Sequence, residues 1–186
     1  MHTMRFVVAS FVILTLSSAG HPAAQTTQAP RQSVATRPRI GTFDSRMVAL
    51  AYYNSPEFQK EMQQMRADLT AAKAAKNQAK VDELEFQGPA IQSLLHYQVF
   101  SNASIPNVLE KISADLPKVA AAAGVSALVS KWDLAFKNAD VEYVDVTDRL
   151  VRLFNPTPRV LQMISQAGTQ PPLPLMEAVK TLRPDR

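Results

Sequence analysis

Apolar residues return every three or four positions along a long polar-rich stretch, from about Pro56 to Ala123. In an α-helix this spacing places them on one narrow face, which must be buried against another helix. The first and last series are heptad-like, and they consist of Phe58, Met62, Met65, Leu69 and Ala72, and of Ile105, Leu109, Ile112, Leu116, Val119 and Ala123. The pattern predicts a long antiparallel helical hairpin, or a bundle made from hairpins of several copies.

Local signals place the start, the tip and the interruptions of this hairpin. Ser55 and Pro56 suit the cap and the first position of a helix. Large apolar residues vanish between residues 71 and 79 while helix formers remain, so we place the tip near residues 76–78. Gly88-Pro89 predicts a kink or a break in the return arm, because proline removes a backbone donor and crowds the preceding turn.

A second interruption lies at residues 102–106, where Ser104 is a candidate cap for a new helix running to about Ala123. Leu116-Pro117 is a place where that helix could bend. Gly124 suits the left-handed position that ends a helix.

Residues outside the hairpin have the composition of β-strands and short helices. Strands are expected at residues 39–44, 125–132 and 141–146, with turn residues at 137–140 and Trp132 as a core or oligomer-interface residue. Asp145 or Thr147 is a candidate cap for a helix ending near Phe154, and further short helices are expected at 159–166 and 175–182. We therefore predict an α+β fold, predominantly helical, in which the hairpin protrudes from a small sheet and short helices follow at the C-terminal end.

The first residues have the features of a targeting signal. Arg5 precedes an apolar run from Phe6 to Leu16, and small residues follow. A retained membrane anchor is the alternative, but the run is shorter than the ~20 residues that span a bilayer. We expect a signal peptide at residues 1–24 that is cleaved after Gly20, Ala23 or Ala24, and hence a periplasmic protein.

Composition indicates where the linker and the folded domain lie, and the net charge bears on the kind of partner. Residues 25–38 are polar and proline-containing, which is typical of a disordered linker. The remaining chain is long enough for one domain at 39–154 and a C-terminal extension at 155–186. There is no cysteine, so stability must come from packing or oligomerisation, and the net charge of +4 does not indicate a nucleic-acid partner.

The order of these elements resembles that of the OmpH/Skp-like periplasmic chaperones over residues 39–154. The motifs that carry the resemblance best are Ala127-Leu-Val-Ser-Lys131 and Val144-Asp-Val-Thr-Asp148. The resemblance implies a homotrimer whose small β body carries helical arms around a cavity that holds unfolded outer-membrane proteins without nucleotide. The arms here are shorter and interrupted by prolines, and the stretch after Asn155 is additional.

The residues give no support for an enzyme, a metal site or a cofactor. His96 is the only histidine after residue 21, so a His-based metal cluster or triad lacks partners. Glu83 and Glu85 lie on different faces of a helix, and Asp145 and Asp148 suit helix capping better than calcium binding. No glycine-rich phosphate loop is present.

The hairpin is the candidate binding surface. Its apolar residues either form only the seam between the arms or also stay accessible to clients, for which the flexible methionine side chain is suited. The candidate client- or partner-binding residues are Phe58, Met62, Met65, Phe86, Leu94 and Tyr97. The sequence favours an exported, ATP-independent holdase for unfolded envelope or outer-membrane proteins, in contact with a membrane surface at most. The alternative is an envelope scaffold that assembles with itself or one fixed partner, and a ligand-binding or hydrolytic domain is the weakest option.

Overall fold

The computed structural model describes residues 37–181, which contain eight helices and three strands. The expected signal peptide, most of the expected linker and residues 182–186 lie outside the described residues. The fold is mixed α and β: helices dominate, and the strands form one small parallel sheet. The α+β class predicted from the sequence agrees with this architecture at that level.

The sheet is built around the first strand. Its strands are β1 (Arg39–Phe43), β2 (Leu128–Ser130) and β3 (Glu142–Asp145), in the order β2-β1-β3. Both outer strands run parallel to β1, with Gly41 opposite Leu128 on one side and Val144 on the other. A Cβ on Gly41 would lie 2.7 Å from Leu128 Cδ2 and 3.3 Å from the Ala127 carbonyl oxygen, so a larger residue there would require the Leu128 side chain to move. Parallel pairing brings the carboxyl ends of all three strands to one edge.

The described part of the chain also contains eight helices. They are α1 (Ser45–Tyr53), α2 (Pro56–Ala74), α3 (Gln78–Phe100), α4 (Pro106–Lys111), α5 (Leu116–Ala123), α6 (Thr147–Arg152), α7 (Pro158–Gly168) and α8 (Leu175–Thr181). The Ser55 hydroxyl accepts a hydrogen bond from the Phe58 N–H at 3.2 Å, which confirms the predicted cap of α2. Gly124 has a φ of 63° and ends α5, as predicted.

Helix α3 continues through Gly88-Pro89 without a break. The carbonyl four residues before Pro89 loses its usual donor, and the exposed position of Pro89 leaves water free to satisfy that carbonyl. The helix ends at Phe100, where the chain turns away toward α4.

The prediction of one helix from Ser104 to Ala123 was wrong. The segment forms α4 and α5, which are separated by residues 112–115. Pro117, in the first turn of α5, has no N–H to donate and its ring crowds the turn before it, so the helix must restart there. Ser104 caps nothing: Ile105 is the cap residue of α4, and the Ser104 carbonyl accepts from Gln98 Nε2 at 2.8 Å.

The core of the described region forms around α1. All residues of α1 except Leu50 are buried, because the helix packs against α3, α6 and α7. The apolar series of α4 and α5 also joins this core, through Ile105, Ile112 and Val119 among others. This series therefore packs in the core around α1, and it does not form a hairpin seam against α2 as the sequence pattern predicted.

The C-terminal helices are close to their predicted positions. The Asp145 carboxylate accepts from the Thr147 N–H at 2.8 Å at the start of α6, whereas the Thr147 hydroxyl accepts from the Asp44 N–H at 2.9 Å. Helix α6 ends at Arg152, two residues before the predicted end at Phe154. Helix α7 packs against α1 and α8 packs against α3, so the C-terminal extension is attached to the body as far as residue 181.

Candidate functional site

Helices α2 and α3 lie side by side and are joined by a turn of three residues, 75–77. Lys76 adopts a left-handed conformation with a φ of 54°, and the Asn77 side chain accepts from the Lys80 N–H at 3.2 Å. The turn reverses the chain, so Lys73 of α2 reaches Glu85 of α3 at 2.8 Å. The predicted tip near residues 76–78 overlaps this turn.

A groove follows each side of the line where α2 meets α3. Met65 and Leu84 border both grooves, because these two side chains bridge the helices in the middle. One groove has a volume of about 500 Å³ and is lined mainly by charged and amide side chains. The other, of about 480 Å³, is mainly apolar and is lined by Phe58, Met62, Met65, Arg66, Leu69, Leu84, Glu85, Gly88, Pro89, Gln92 and Leu95.

Three of the candidate binding residues lie on α2, and they differ in accessibility. Phe58 is buried, with its ring centroid 4.9 Å from that of Tyr53 and 5.3 Å from that of Tyr52. Its ring therefore belongs to the core and contributes little accessible surface. Met62 and Met65 are half-buried along the apolar groove.

The other three candidates lie on α3, and here the accessible apolar surface is larger. Phe86 is 77% exposed, Leu94 is 41% exposed and Tyr97 is half-buried. Phe100, which is not among the candidate residues, is also exposed, at 49%. We call Phe86, Leu94, Tyr97 and Phe100 the apolar stripe.

The apolar stripe faces away from α2. Helical residues rotate by about 100° each, so Phe86, Tyr97 and Phe100 fall within about 60° of one another, with Leu94 about 60° further round. By the same rotation Leu84 and Leu95, which line the groove against α2, lie on the opposite side of α3. Helix α3 is thus apolar on two sides, one packed and one open. The open side of α3 is therefore an accessible apolar surface.

Charged side chains on α2 and α3 are partly paired with one another. Lys73 contacts Glu85 at 2.8 Å and Lys80 contacts Glu83 at 2.9 Å. These pairs are exposed, so each contributes little to stability. They reduce the basic character that the lysines alone would give to this surface.

A buried carboxylate, Asp44, lies at the carboxyl end of the central strand. Its Oδ1 accepts from Arg46 Nε at 3.2 Å and from Trp132 Nε1 at 3.0 Å. Its Oδ2 lies 3.0 Å from Arg46 Nη2 and 2.9 Å from Lys131 Nζ. We call these four residues the Asp44 cluster.

The Asp44 cluster is structural. Burial alone would raise the pKa of Asp44, but hydrogen bonds from Arg46, Lys131 and Trp132 hold it below its ordinary value. Both carboxylate oxygens are occupied by donors, which leaves no lone pair directed at a substrate or a metal. The cluster fixes the end of β1, the start of α1 and the segment after β2 to one another. Trp132 is partly buried and helps to hold these segments together through its hydrogen bond to Asp44.

A second ionic network joins α4 to α2 at the surface. Glu61 accepts from Lys111 Nζ at 2.5 Å and from the Tyr52 hydroxyl at 3.0 Å. Burial works to raise the pKa of Glu61, but these two donors lower it overall. The pKa of Tyr52 is raised, first by burial and then by the Glu61 carboxylate.

We expect the contribution of this network to the folding stability to be lost in acid. Because the folded-state pKa of Glu61 lies below its unfolded value, its contribution is present above about pH 4.3 and is lost as the pH falls through the folded-state pKa. We expect the urea midpoint of the Glu61→Gln variant to fall less between about pH 6 and pH 3 than that of the wild type. The control is Glu110→Gln, which removes an exposed carboxylate next to Lys111. A Glu61→Gln variant with the full acid dependence of the wild type would contradict the assignment.

Residues 37–181 contain no cluster of three or more His, Cys, Asp or Glu side chains that could hold a metal ion. His96 lies beside the apolar stripe, with its ring centroid 6.0 Å from that of Phe100. Among the described helices, none combines the length and the apolar composition that crossing a membrane requires.

Comparisons with protein-family models, curated proteins and solved structures give no match for this chain.

Sequence reasoning missed two features of the structure, the Asp44 cluster and the exposure of Phe100. The Asp44 cluster joins residues 88 positions apart in the chain, and its only local signal is an acidic residue directly after a strand with an arginine two positions later. The exposure of Phe100 depends on the tertiary arrangement around the end of α3, and the local spacing of apolar residues contains no information about that.

Proposed function

We propose that this protein is an exported, ATP-independent holdase that binds unfolded envelope or outer-membrane proteins through the apolar stripe of α3 and the adjoining apolar groove. The observation that supports the proposal best is the open apolar side of α3, opposite the side that packs on α2. An unfolded chain offers apolar side chains in many sequences, and a stripe of aromatic and aliphatic residues can bury them without a fixed pattern of hydrogen bonds.

The finer architecture in this proposal is a hairpin that protrudes from the body. Helices of 19 and 23 residues have lengths of about 28 and 35 Å at 1.5 Å per residue. Arms of this length are comparable to the diameter of a small domain. The parallel sheet, the paired helices and the motifs at 127–131 and 144–148 together support an OmpH/Skp-like protein.

The proposed assembly is a homotrimer in the periplasm, formed after removal of the signal peptide. A single pair of helices has one open face and cannot enclose a client, whereas several copies arranged around an axis could. Light scattering of the mature chain over a concentration series should give the mass of a trimer. A monomer at every concentration would contradict the enclosing arrangement.

The activity is tested by aggregation of a client. An outer-membrane barrel protein is unfolded in urea and diluted into buffer with a stoichiometric excess of the mature protein, and light scattering is followed over time. We expect aggregation to be slowed without ATP, and an inert protein at the same concentration should have no effect. Undiminished aggregation would refute the holdase proposal.

The envelope scaffold is the second candidate, because an open apolar side on a regular helix also fits one fixed helical partner. The range of partners separates the two functions. Capture of many unfolded polypeptides by the immobilised protein would favour the holdase, and capture of one folded partner would favour the scaffold.

A further inference from the structure

The apolar groove between α2 and α3 has a cation at its rim. Arg66 lines this groove among apolar side chains and is exposed. Its carbonyl accepts from the Thr70 hydroxyl at 2.9 Å, but its guanidinium takes part in no ion pair or hydrogen bond formed among residues 37–181. The side chains three and four positions away on α2 are all uncharged, namely Met62, Gln63, Leu69 and Thr70. The described part of the chain therefore supplies no counter-ion for Arg66.

The carboxylate that lines the same groove is already engaged. Glu85 of α3 lies 2.8 Å from Lys73 Nζ. Because this pair is neutral as a unit, the charge of Arg66 is not balanced within the groove. The rim of the apolar groove is thus positive, and it favours a partner that carries a negative charge.

The groove on the other side of the line where α2 meets α3 has the opposite balance, and we call it the polar groove. Its lining contains three carboxylates and two ammonium groups, those of Glu57, Glu61, Asp68, Lys60 and Lys80. Lys111 and Glu83, which pair with members of this lining, carry opposite charges and leave the balance unchanged. An acidic partner is therefore favoured on the apolar groove over the polar one.

The apolar groove has the length of a short extended segment. On α2 its lining runs from Phe58 to Leu69, which is about 16 Å at 1.5 Å per residue. An extended chain covers that length with about five residues. A Cβ placed on Gly88, on the α3 side of the groove, would have open space around it. The groove can therefore admit the side chains of a client segment.

We infer that the apolar groove binds client segments in which apolar residues flank an aspartate or a glutamate, and that Arg66 pairs with that carboxylate. This inference rests on the proposed function, because it names the class of client segment that the same surface selects. A planar guanidinium can donate to both carboxylate oxygens, and its weak hydration suits a position beside apolar side chains. The charge pair supplies selectivity, while the apolar contacts supply most of the affinity.

The test compares two peptides that differ by one charge. Each has a dansyl label, a C-terminal amide and apolar residues around a central residue, which is Glu in one peptide and Gln in the other. Fluorescence titration measures their affinities for the full mature chain at low salt. We expect the Glu peptide to bind about threefold more tightly, as for a partly exposed ion pair. The preference should disappear in about 1 M salt, where the Debye length is about 3 Å.

Two substitutions on α2 separate Arg66 from the general charge of the surface. Arg66→Gln should abolish the preference for the Glu peptide and leave the affinity for the Gln peptide unchanged. Lys60→Gln removes the same charge from the polar groove and should keep the wild-type preference. Arg66 and Lys60 are both exposed, so both variants should fold. Arg66→Glu should reverse the preference, because it replaces attraction by repulsion.

A third peptide separates a side-chain carboxylate from a chain terminus. It has Gln at the centre and a free C-terminal carboxylate in place of the amide. We expect it to bind no more tightly than the amidated Gln peptide. A gain as large as that of the Glu peptide would contradict the inference, since the groove would then read the end of a chain.

The aggregation assay separates this inference from the proposed function. If the protein slows aggregation but binds neither peptide, or binds both equally, the selectivity is refuted and the holdase proposal stands. An equal loss of preference in Lys60→Gln and Arg66→Gln would also refute it. Undiminished aggregation together with no peptide binding refutes both proposals. A preference that depends on Arg66, without slower aggregation, would support recognition at the groove and refute the holdase.

Discussion

Replacing Asp44 by alanine should lower the free energy of unfolding by about 3–5 kcal/mol. The Arg46 side chain is only 4% exposed, and without Asp44 its guanidinium remains buried with no opposite charge from this pair. The N–H of Trp132 loses its acceptor as well, and α1 loses the carboxylate that accepts from its Arg46 N–H at 3.1 Å. Unfolding in guanidinium chloride, followed by circular dichroism, measures the change.

The control for this variant is Asp148→Ala. Asp148 also pairs with an arginine, at 2.8 Å from Arg152 Nε, but both side chains are largely exposed. Removing such a pair should cost no more than about 0.5 kcal/mol. Equal effects of the two variants, or an Asp44→Ala effect below about 1 kcal/mol, would show that burial of the Asp44 cluster is not what makes it important.

Replacing Leu150 by alanine should be the second large effect, a loss of about 2–5 kcal/mol. Leu150 is completely buried on α6, which packs against α1, α5 and β1. Truncation removes apolar area from the core and leaves a cavity that these elements cannot easily fill.

The matched substitution is Leu94→Ala on α3. The same atoms are removed there from a residue that is 41% exposed, so the change in stability should stay near about 0.5 kcal/mol. Urea unfolding of both variants gives the comparison. A Leu94→Ala effect as large as that of Leu150→Ala would mean that the apolar stripe is already packed against something in solution, such as another copy.

The sequence was sufficient where structure depends on neighbouring residues. The Ser55 cap and the left-handed Gly124 follow from local chemistry, and the structure confirms them. The three strands lie within their predicted ranges, but β2 occupies only Leu128–Ser130 of the predicted 125–132. The order of the strands does not follow in this way, because β2 and β3 could have paired with each other as well as with β1. That choice depends on packing against α1 and α6, which lie far apart in the chain.

The limits of the sequence are clearest at Pro117 and in the tail around Leu173. The heptad-like spacing through residues 105–123 correctly identified buried positions, yet it could not show that the helix breaks and that its apolar face joins the body. Nothing in the tail sequence indicated that Leu173 would bond to Phe100, since the contact spans 73 positions and uses only backbone atoms. The candidate residues on α2 were found by periodicity, and periodicity does not separate packed from exposed faces. Those on α3, Phe86, Leu94 and Tyr97, were extra apolar residues outside the periodic seam.

The most direct test of the proposed function compares Phe86→Ser with Phe136→Ser. The two phenylalanines are equally exposed, at 77% and 78%, but only Phe86 belongs to the apolar stripe, whereas Phe136 lies in the segment after β2. Fluorescence anisotropy would measure the affinity of each full mature variant for a labelled, urea-unfolded outer-membrane barrel protein after dilution. Burial of a phenylalanine against a client contributes about 1.5–3 kcal/mol, so Phe86→Ser should weaken binding by about tenfold or more and Phe136→Ser should leave it unchanged. Equal affinities of the two variants would contradict the claim that the apolar stripe of α3 binds clients.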